Sequence, residues 1–162
     1  MYNIVLPHNT IALLSPHFNA SEFKCKCGGN HDIVINGELV YKLERLHEIF
    51  GAKSIIITSG YRCSKHDISV GGSGSGEHTK GNAADIIING KDGKPINTKY
   101  IACIAQKLGF RGIGRISDTA IHVDVRPGNP WYGDETVKGG TNSNVTTNYH
   151  EYYSIPELNI KL

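Results

Sequence analysis

The sequence lacks any apolar run near the roughly 20 residues that cross a bilayer, so we expect no membrane association. It also lacks a basic segment ahead of the apolar stretch at its start, so we expect no secretory signal peptide and a cytoplasmic location. Charge is scarce, because 20% of the residues are charged and the formal net charge is +2, which argues against a nucleic-acid binder. A chain of 162 residues that is 39% hydrophobic predicts one folded domain over 1–162.

Cysteine is scarce as well, and four residues are too few for a disulfide scaffold of this length. Cys103 lies in an apolar helical pattern, which predicts a small core residue. Cys25, Cys27 and Cys63 could form a zinc site with His31, although a Cys-x-Cys pair is closer than the usual zinc-ligand spacing. That spacing favours reduced thiols, or one disulfide between Cys63 and the Cys25–Cys27 turn.

What the chain does contain is a mixture of helical and strand patterns. The apolar spacing and the β-branched runs predict, in order, a helix over 36–50, strands over 54–58 and 83–88, a helix over 97–108 and a strand over 121–125. Mixed elements in this order predict a small α+β domain, with a core over about 14–131. Residues 132–162 are polar with scattered aromatics, and we expect an extended tail that wraps the body.

Polar side chains interrupt two of the predicted strands. Asp85 lies within an Ala-Ala-Asp-Ile-Ile-Ile run, and His122 lies within Ile-His-Val-Asp-Val. A carboxylate on a buried strand is costly unless a cation or hydrogen bonds satisfy it. Together with His78, the two residues make a two-histidine, one-carboxylate set, which leaves a fourth tetrahedral position open as in catalytic zinc sites. The same residues also fit a buried His–Asp pair without metal.

An ordered series of motifs links this set to a known family. The segment from His78 to Asp85 reads His-x-x-Gly-x-Ala-x-Asp, and His122 follows on a later strand. Matching segments also occur at 58–62, 70–72 and 112–114, with the sequences Thr-Ser-Gly-Tyr-Arg, Val-Gly-Gly and Gly-Ile-Gly. The sequence thereby resembles the zinc D-Ala-D-Ala carboxypeptidases and their relatives. These include the phage L-alanyl-D-glutamate endopeptidases and, in fold, the signalling domain of sonic hedgehog.

The resemblance implies a fold, a cofactor and site residues. The fold is an antiparallel sheet with helices packed on it. His78, Asp85 and His122 would bind one catalytic zinc ion, and Arg62 would bind the backbone or terminal carboxylate of the substrate. The expected partners are peptidoglycan stem peptides, with no nucleic acid and no membrane. The implied activity is cell-wall degradation by an endolysin-like metallopeptidase. We expect a monomer that another factor releases from the cytoplasm to the wall, and a component of a larger particle is the alternative.

The chain departs from the family pattern in two places. Gly76 stands where the family carries a substrate-binding serine. The contact of that serine with the substrate is therefore missing unless Ser73 or Ser75 makes it. The positions two and three residues before His122, where relatives carry a general base, hold neither an acidic residue nor a histidine.

Two other carboxylates are candidates for the general base. Asp124 comes two residues after His122, so the two side chains point to the same face of the strand, and we expect Asp124 to be the base. Its alternative role is to orient His122 or to pair with Arg126. Asp118 lies in a turn that could also approach the zinc site.

Two other functions remain compatible with the sequence. One is a non-catalytic, zinc-containing binding module of the same fold, and the other is a zinc-free domain with a buried His–Asp pair. A carboxylate on the same strand face as His122 favours the peptidase. Tyr61, Trp131 and Tyr132 either line the cleft or belong to the core.

Overall fold

The computed structural model describes residues 3–137, 144–157 and 159–162. No helix in this described part is both long and apolar enough to cross a membrane. The strands found there are β1 (Asn3–Leu6), β2 (Leu13–Ser15), β3 (Phe18–Asn19), β4 (Ile33–Asn36), β5 (Ser54–Ser59), β6 (Ala83–Asn89), β7 (Gly112–Arg115), β8 (Ile121–Asp124) and β9 (Trp131–Asp134). The α-helices are α1 (Gly37–Phe50), α2 (Ser64–Ser69), α3 (Thr98–Lys107) and α4 (Tyr149–Tyr152), and 3-10 helices cover Ala20–Phe23 and Glu77–Lys80.

A five-stranded sheet in the order β5-β6-β8-β7-β9 forms the centre of the fold, and the α+β class is confirmed. Its neighbouring strands are antiparallel except for β7 and β9, which run parallel, so the expectation of an antiparallel sheet is corrected at this edge. The chain reverses over 125–130, after β8. Because β8 is antiparallel to β7, the reversed chain runs parallel to β7. The pairs β1-β4 and β2-β3 form two smaller sheets.

Helix α1 begins and ends where the sequence indicates. The Asn36 side chain accepts a hydrogen bond from the Glu38 N–H, and Gly51 ends the helix in the left-handed conformation. Leu39 and Leu46 belong to the apolar stripe and are buried. This stripe packs against the strands β2, β4 and β6, so α1 covers one part of the core.

Helix α3 covers another part of the core. Asn97 caps it by accepting the Lys99 N–H, and Ile101 and Ala105 are fully buried on the face that contacts β7 and β8. Cys103 on the same helix is also fully buried, so the prediction that it is a core residue is confirmed.

The C-terminal segment is not the extended tail that its composition indicated. Strand β9 forms an edge of the central sheet, and α4 contacts α3. Tyr149 at the start of α4 is fully buried, and its hydroxyl oxygen lies 2.9 Å from the carbonyl oxygens of Ile113 and Gly133. The aromatics scattered through this polar segment have no periodic pattern, so sequence reasoning could not assign Tyr149 to the core.

Replacing Tyr149 tests whether the C-terminal segment stabilises the fold. Tyr149→Ala should lower the free energy of unfolding by about 3–5 kcal/mol, because the lost ring leaves a cavity in the core. Tyr149→Phe should cost about 1–3 kcal/mol, because the ring stays and buried carbonyl groups lose their donor. Urea denaturation measures both values. Tyr41→Ala is the matched control, since Tyr41 is 62% exposed, and equal losses at both positions would contradict this role.

Candidate metal centre and active-site cleft

The pairing of β6 with β8 brings two of the predicted ligands together. Asp85 on β6 is directly opposite His122 on β8, and opposed residues of an antiparallel pair point to the same face. His78 comes from the 3-10 helix that leads into β6. Gly81 makes this approach possible, because its φ is +76° and a Cβ there would lie 2.4 Å from the Val34 carbonyl oxygen.

Three ligand atoms converge in this arrangement. Nε2 of His78 lies 3.2 Å from Oδ1 of Asp85, and Nδ1 of His122 lies 3.0 Å from the same oxygen. The two imidazole nitrogens are 3.2 Å apart. The structure therefore brings together the three residues that the sequence predicted as metal ligands.

Hydrogen bonds behind the two imidazoles determine which nitrogens carry lone pairs. Nδ1 of His78 lies 2.8 Å from the Gly60 carbonyl oxygen, which can only accept, so this nitrogen carries the proton. Nε2 of His122 lies 2.8 Å from Oδ2 of Asp124 and carries the proton for the same reason. In the neutral rings, the nitrogens that face Asp85 therefore both present lone pairs. Three converging lone pairs need a cation between them, and two imidazoles with one carboxylate fit zinc.

Without a metal, a proton takes the place of the cation. Burial alone would lower the pKa of His122, but the hydrogen bonds and charges of Asp124 and Asp85 outweigh it and raise this pKa to about 9. Burial alone would raise the pKa of Asp85, yet the hydrogen bond and the charge of His122 hold it well below its usual range. The metal-free site therefore contains an imidazolium between two carboxylates at pH 7.

Arg62 lies in the wall of the site, with its guanidinium held on three sides. Its Nε donates to Ser59 Oγ at 2.8 Å, its Nη1 to Asp67 Oδ1 at 3.0 Å, and its Nη2 to Asp85 Oδ2 at 3.1 Å. Of the five N–H donors of a guanidinium, these bonds use three, and the side chain is 16% exposed. Arg62 therefore fixes the second oxygen of Asp85, a contact that the sequence did not predict.

Asp124 does not have the geometry of a general base. Its side chain is fully buried. Oδ1 accepts the backbone N–H and the Nε–H of Arg126, while Oδ2 faces His122 Nε2 and accepts from Arg126 Nη2. A base has to reach the proton that it removes, whereas these lone pairs point at two fixed partners. This geometry favours the alternative role, in which Asp124 orients His122 and pairs with Arg126.

A cleft of about 480 Å³ is lined by the three converging residues. Trp131 and Arg126 form part of its wall, with the guanidinium carbon 5.2 Å from the indole centroid. Ser73 lines the cleft as well, so a serine near Gly76, where the family carries its substrate-binding serine, is available to a substrate. Tyr132 packs instead against Tyr149 in the core, with ring centroids 5.5 Å apart. This volume lies in the range of pockets that bind small ligands.

Sequence reasoning missed the other carboxylates of the cleft. The second predicted base, Asp118, pairs with Arg115, is 78% exposed and is absent from the cleft lining. Asp67, Glu77 and Glu135 do line the cleft. Asp67 lies within α2, Glu77 begins a 3-10 helix and Glu135 follows β9, so no spacing in the sequence could have grouped them.

A family model described as Peptidase M15 matches residues 16–124, which is most of the chain. The chain belongs to the peptidase M15 family. It is therefore a metallopeptidase hydrolase of a zinc-dependent family, and the resemblance to the zinc D-Ala-D-Ala carboxypeptidases is confirmed at this level. No curated protein sequence matches the chain. The matched region contains His78, Asp85 and His122.

The M15 peptidase has a second group of metal-ligating side chains. Cys25, Cys27 and Cys63 offer sulfur atoms that lie within 4.8 Å of one another, and all three are free thiols. From the sequence these residues could be reduced thiols, a disulfide pair or a zinc site. The fold brings all three sulfurs together.

His122 of the metal-free M15 peptidase should carry both ring protons at pH 7, because its pKa is raised to about 9. Zinc needs the lone pair of Nδ1, so zinc binding at pH 7 should displace one proton from this ring. The zinc affinity of the site should therefore fall as the pH drops below about 9. NMR of the imidazole nitrogens, recorded with and without zinc, measures the double protonation of His122 and the loss of one proton on zinc binding. A neutral His122 ring at pH 7 in the metal-free protein would contradict this expectation.

Asp124→Asn separates the two roles considered for this carboxylate in the M15 peptidase. If Asp124 orients His122, zinc affinity should fall about 10–100-fold and excess zinc should restore activity. Chelator competition gives the affinity, and activity is followed against zinc concentration. Asp118→Asn is the control and should leave both unchanged. A large loss of activity in Asp124→Asn at saturating zinc, with normal affinity, would instead identify Asp124 as the base.

Proposed function

We propose that this protein hydrolyses peptide bonds in peptidoglycan stem peptides, with one catalytic zinc ion held by His78, Asp85 and His122. The observation that carries the proposal is the convergence of three lone pairs in the wall of a cleft. Three protein ligands leave one position open for reaction, as in catalytic rather than structural zinc sites. When bound, the ion polarises the scissile carbonyl and makes water more acidic.

The chain's own contacts hold the three ligands in a fixed orientation. The Gly60 carbonyl accepts a hydrogen bond from His78, and the Asp124 carboxylate accepts a hydrogen bond from His122. Arg62 donates to the oxygen of Asp85 that does not face the histidines. Partners of this kind fix the tautomer and the orientation of metal ligands, so the site is preorganised.

Two guanidinium groups in the cleft wall support a substrate that carries carboxylates. Arg62 keeps part of its guanidinium toward the cleft, and Arg126 binds Asp124 through Nε and Nη2 with its side chain 25% exposed. A planar guanidinium binds a carboxylate through two parallel hydrogen bonds. We propose that these two arginines bind carboxylates of the stem peptide, with Arg62 in the role that the family resemblance implies.

Glu135 is our candidate for the general base in place of Asp124. The Glu77 carboxylate already accepts hydrogen bonds from Asn82 and Lys80. The Asp67 carboxylate accepts hydrogen bonds from Arg62 and the Gly74 N–H. Glu135, in contrast, is exposed and its carboxylate has no hydrogen bond or ion pair to any residue of the described ranges 3–137, 144–157 and 159–162. A cleft carboxylate without a fixed partner can accept a proton from water and pass it to the leaving amine.

Digestion of purified peptidoglycan tests both the substrate and the base. Zinc-loaded protein should release stem-peptide fragments, and mass spectrometry of the fragments identifies the bond that is cut. Glu135→Gln should lower the rate by about 10²–10⁴-fold while zinc content stays unchanged. Glu151→Gln, an exposed glutamate on α4, is the matched control.

One outcome would contradict the proposed activity, and another would contradict only the proposed base. Stem peptides that bind to the zinc-loaded protein without being cut would favour the non-catalytic binding module. Normal turnover in Glu135→Gln would leave the peptidase in place and exclude Glu135 as the base.

A further inference from the structure

Three cysteines meet at a point that the proposed reaction does not use. Cys25 and Cys27 lie in the loop that follows the 3-10 helix Ala20–Phe23, and Cys63 is the N-cap residue of α2. Their sulfur atoms all lie within 4.8 Å of one another. Cys25 is buried, Cys63 is half-buried and Cys27 is exposed, so the cluster extends from the core to the surface.

Each of the three sulfurs accepts a hydrogen bond from a backbone N–H. The donors are Gly29 for Cys27 at 3.3 Å, Cys63 for Cys25 at 3.3 Å, and His66 for Cys63 at 3.4 Å. A metal ion binds cysteine as the thiolate, and a backbone N–H donor stabilises the sulfur once the ion is bound. Three sulfurs this close together, each with its own backbone donor, therefore suit a soft metal ion.

His31 lies near Cys27 and is the candidate for a fourth ligand. His31 Nε2 and Cys27 Sγ both lie against Gly29, at 2.8 and 3.3 Å from the position where a Cβ would stand. The imidazole lies outside the group of ligand atoms that are all within 4.8 Å of one another, and the absence of a side chain at Gly29 leaves space for it to turn toward the sulfurs when an ion binds. Three cysteines and one histidine form one of the common ligand sets of closed, structural zinc sites.

A disulfide explains the cluster less well. One bond would use two of the sulfurs and leave the third thiol beside it, still with its own N–H donor. The short Cys-x-Cys spacing argued against zinc in the sequence. In the fold, however, the third sulfur comes from α2, so the local spacing does not decide the geometry.

We propose that Cys25, Cys27, Cys63 and His31 bind a second zinc ion with a structural role. The ion would join the loop after Ala20–Phe23 to the segment from Gly60 to Cys63. That segment contacts two of the candidate catalytic ligands directly. The Gly60 carbonyl accepts a hydrogen bond from His78, and Arg62 donates a hydrogen bond to Asp85. The assignment does not depend on the proposed substrate.

Zinc content of the full chain, purified with a reductant, tests the second site. The parent protein should hold about two zinc ions per chain, and Cys27→Ser and His122→Ala should each hold about one. Cys27 is the lead position because it is exposed, so its replacement should not prevent folding. Cys103→Ala is the control and should keep both ions, because Cys103 lies in the core on α3.

Cobalt substitution identifies the ligands of the second ion. Cobalt(II) bound to thiolates gives sulfur-to-metal charge-transfer absorption, which histidine and carboxylate ligands do not give. These bands should persist in His122→Ala and weaken or disappear in Cys27→Ser. One zinc per chain that is lost completely in His122→Ala, with no such bands in the parent protein, would overturn the proposal. A thiol count that reveals a disulfide in the purified protein would overturn it as well.

Two histidine variants test the fourth ligand. His31→Ala should make the second ion exchange faster with a chelator and weaken its binding at least tenfold, while the catalytic site keeps its affinity. His66→Ala is the matched control, because His66 contacts the cluster through its backbone N–H and should leave the binding unchanged. Unchanged binding in His31→Ala would overturn its assignment as a ligand.

Discussion

Asp85 and His122 face each other across the antiparallel strands β6 and β8, and the rest of the site is arranged around that pair. A shift of one residue in this pairing would turn one of the two side chains to the opposite face of the sheet. On the other side of β8, Gly114 is opposite His122. A Cβ at Gly114 would lie 2.6 Å from the Trp131 ring, so glycine there allows the indole to cover the strand beside the histidine.

Charges of alternating sign compensate one another around this pair. A buried charge is costly alone, and here each carboxylate has a cationic or hydrogen-donating partner on each side. The alternation runs through Arg126, Asp124, His122, Asp85, Arg62 and Asp67. Such a network serves the orientation of the ligands more than the stability of the fold, because buried ion pairs often contribute little net free energy. It also explains why Asp124 and Arg62 are held so firmly by their neighbours.

The segment from Gly60 to Cys63 connects the candidate metal centre with the cysteine cluster. The Tyr61 N–H donates to the Phe23 carbonyl, and a Cβ at Gly60 would lie 2.7 Å from the Phe23 Cα, so the cysteine-bearing loop packs directly on this segment. The Arg62 N–H in turn donates to the His78 carbonyl. A constraint on the cysteines therefore acts on the two residues that orient His78 and Asp85.

Local patterns in the sequence determined the α+β class, the limits of α1 and α3, and the residues that converge as candidate ligands. These features depend on short-range chemistry, such as helix caps, apolar periodicity and a carboxylate within an apolar strand. Only the tertiary structure decided the contacts of Asp124 and Arg62, because strand direction shows which face a side chain occupies but not which partners it meets there. The parallel β9, the buried Tyr149 and the cysteine cluster were likewise decided by contacts between distant segments. A carboxylate that points toward a histidine has the same sequence pattern whether it removes a proton or holds the ring, and the difference lies in its neighbours in space.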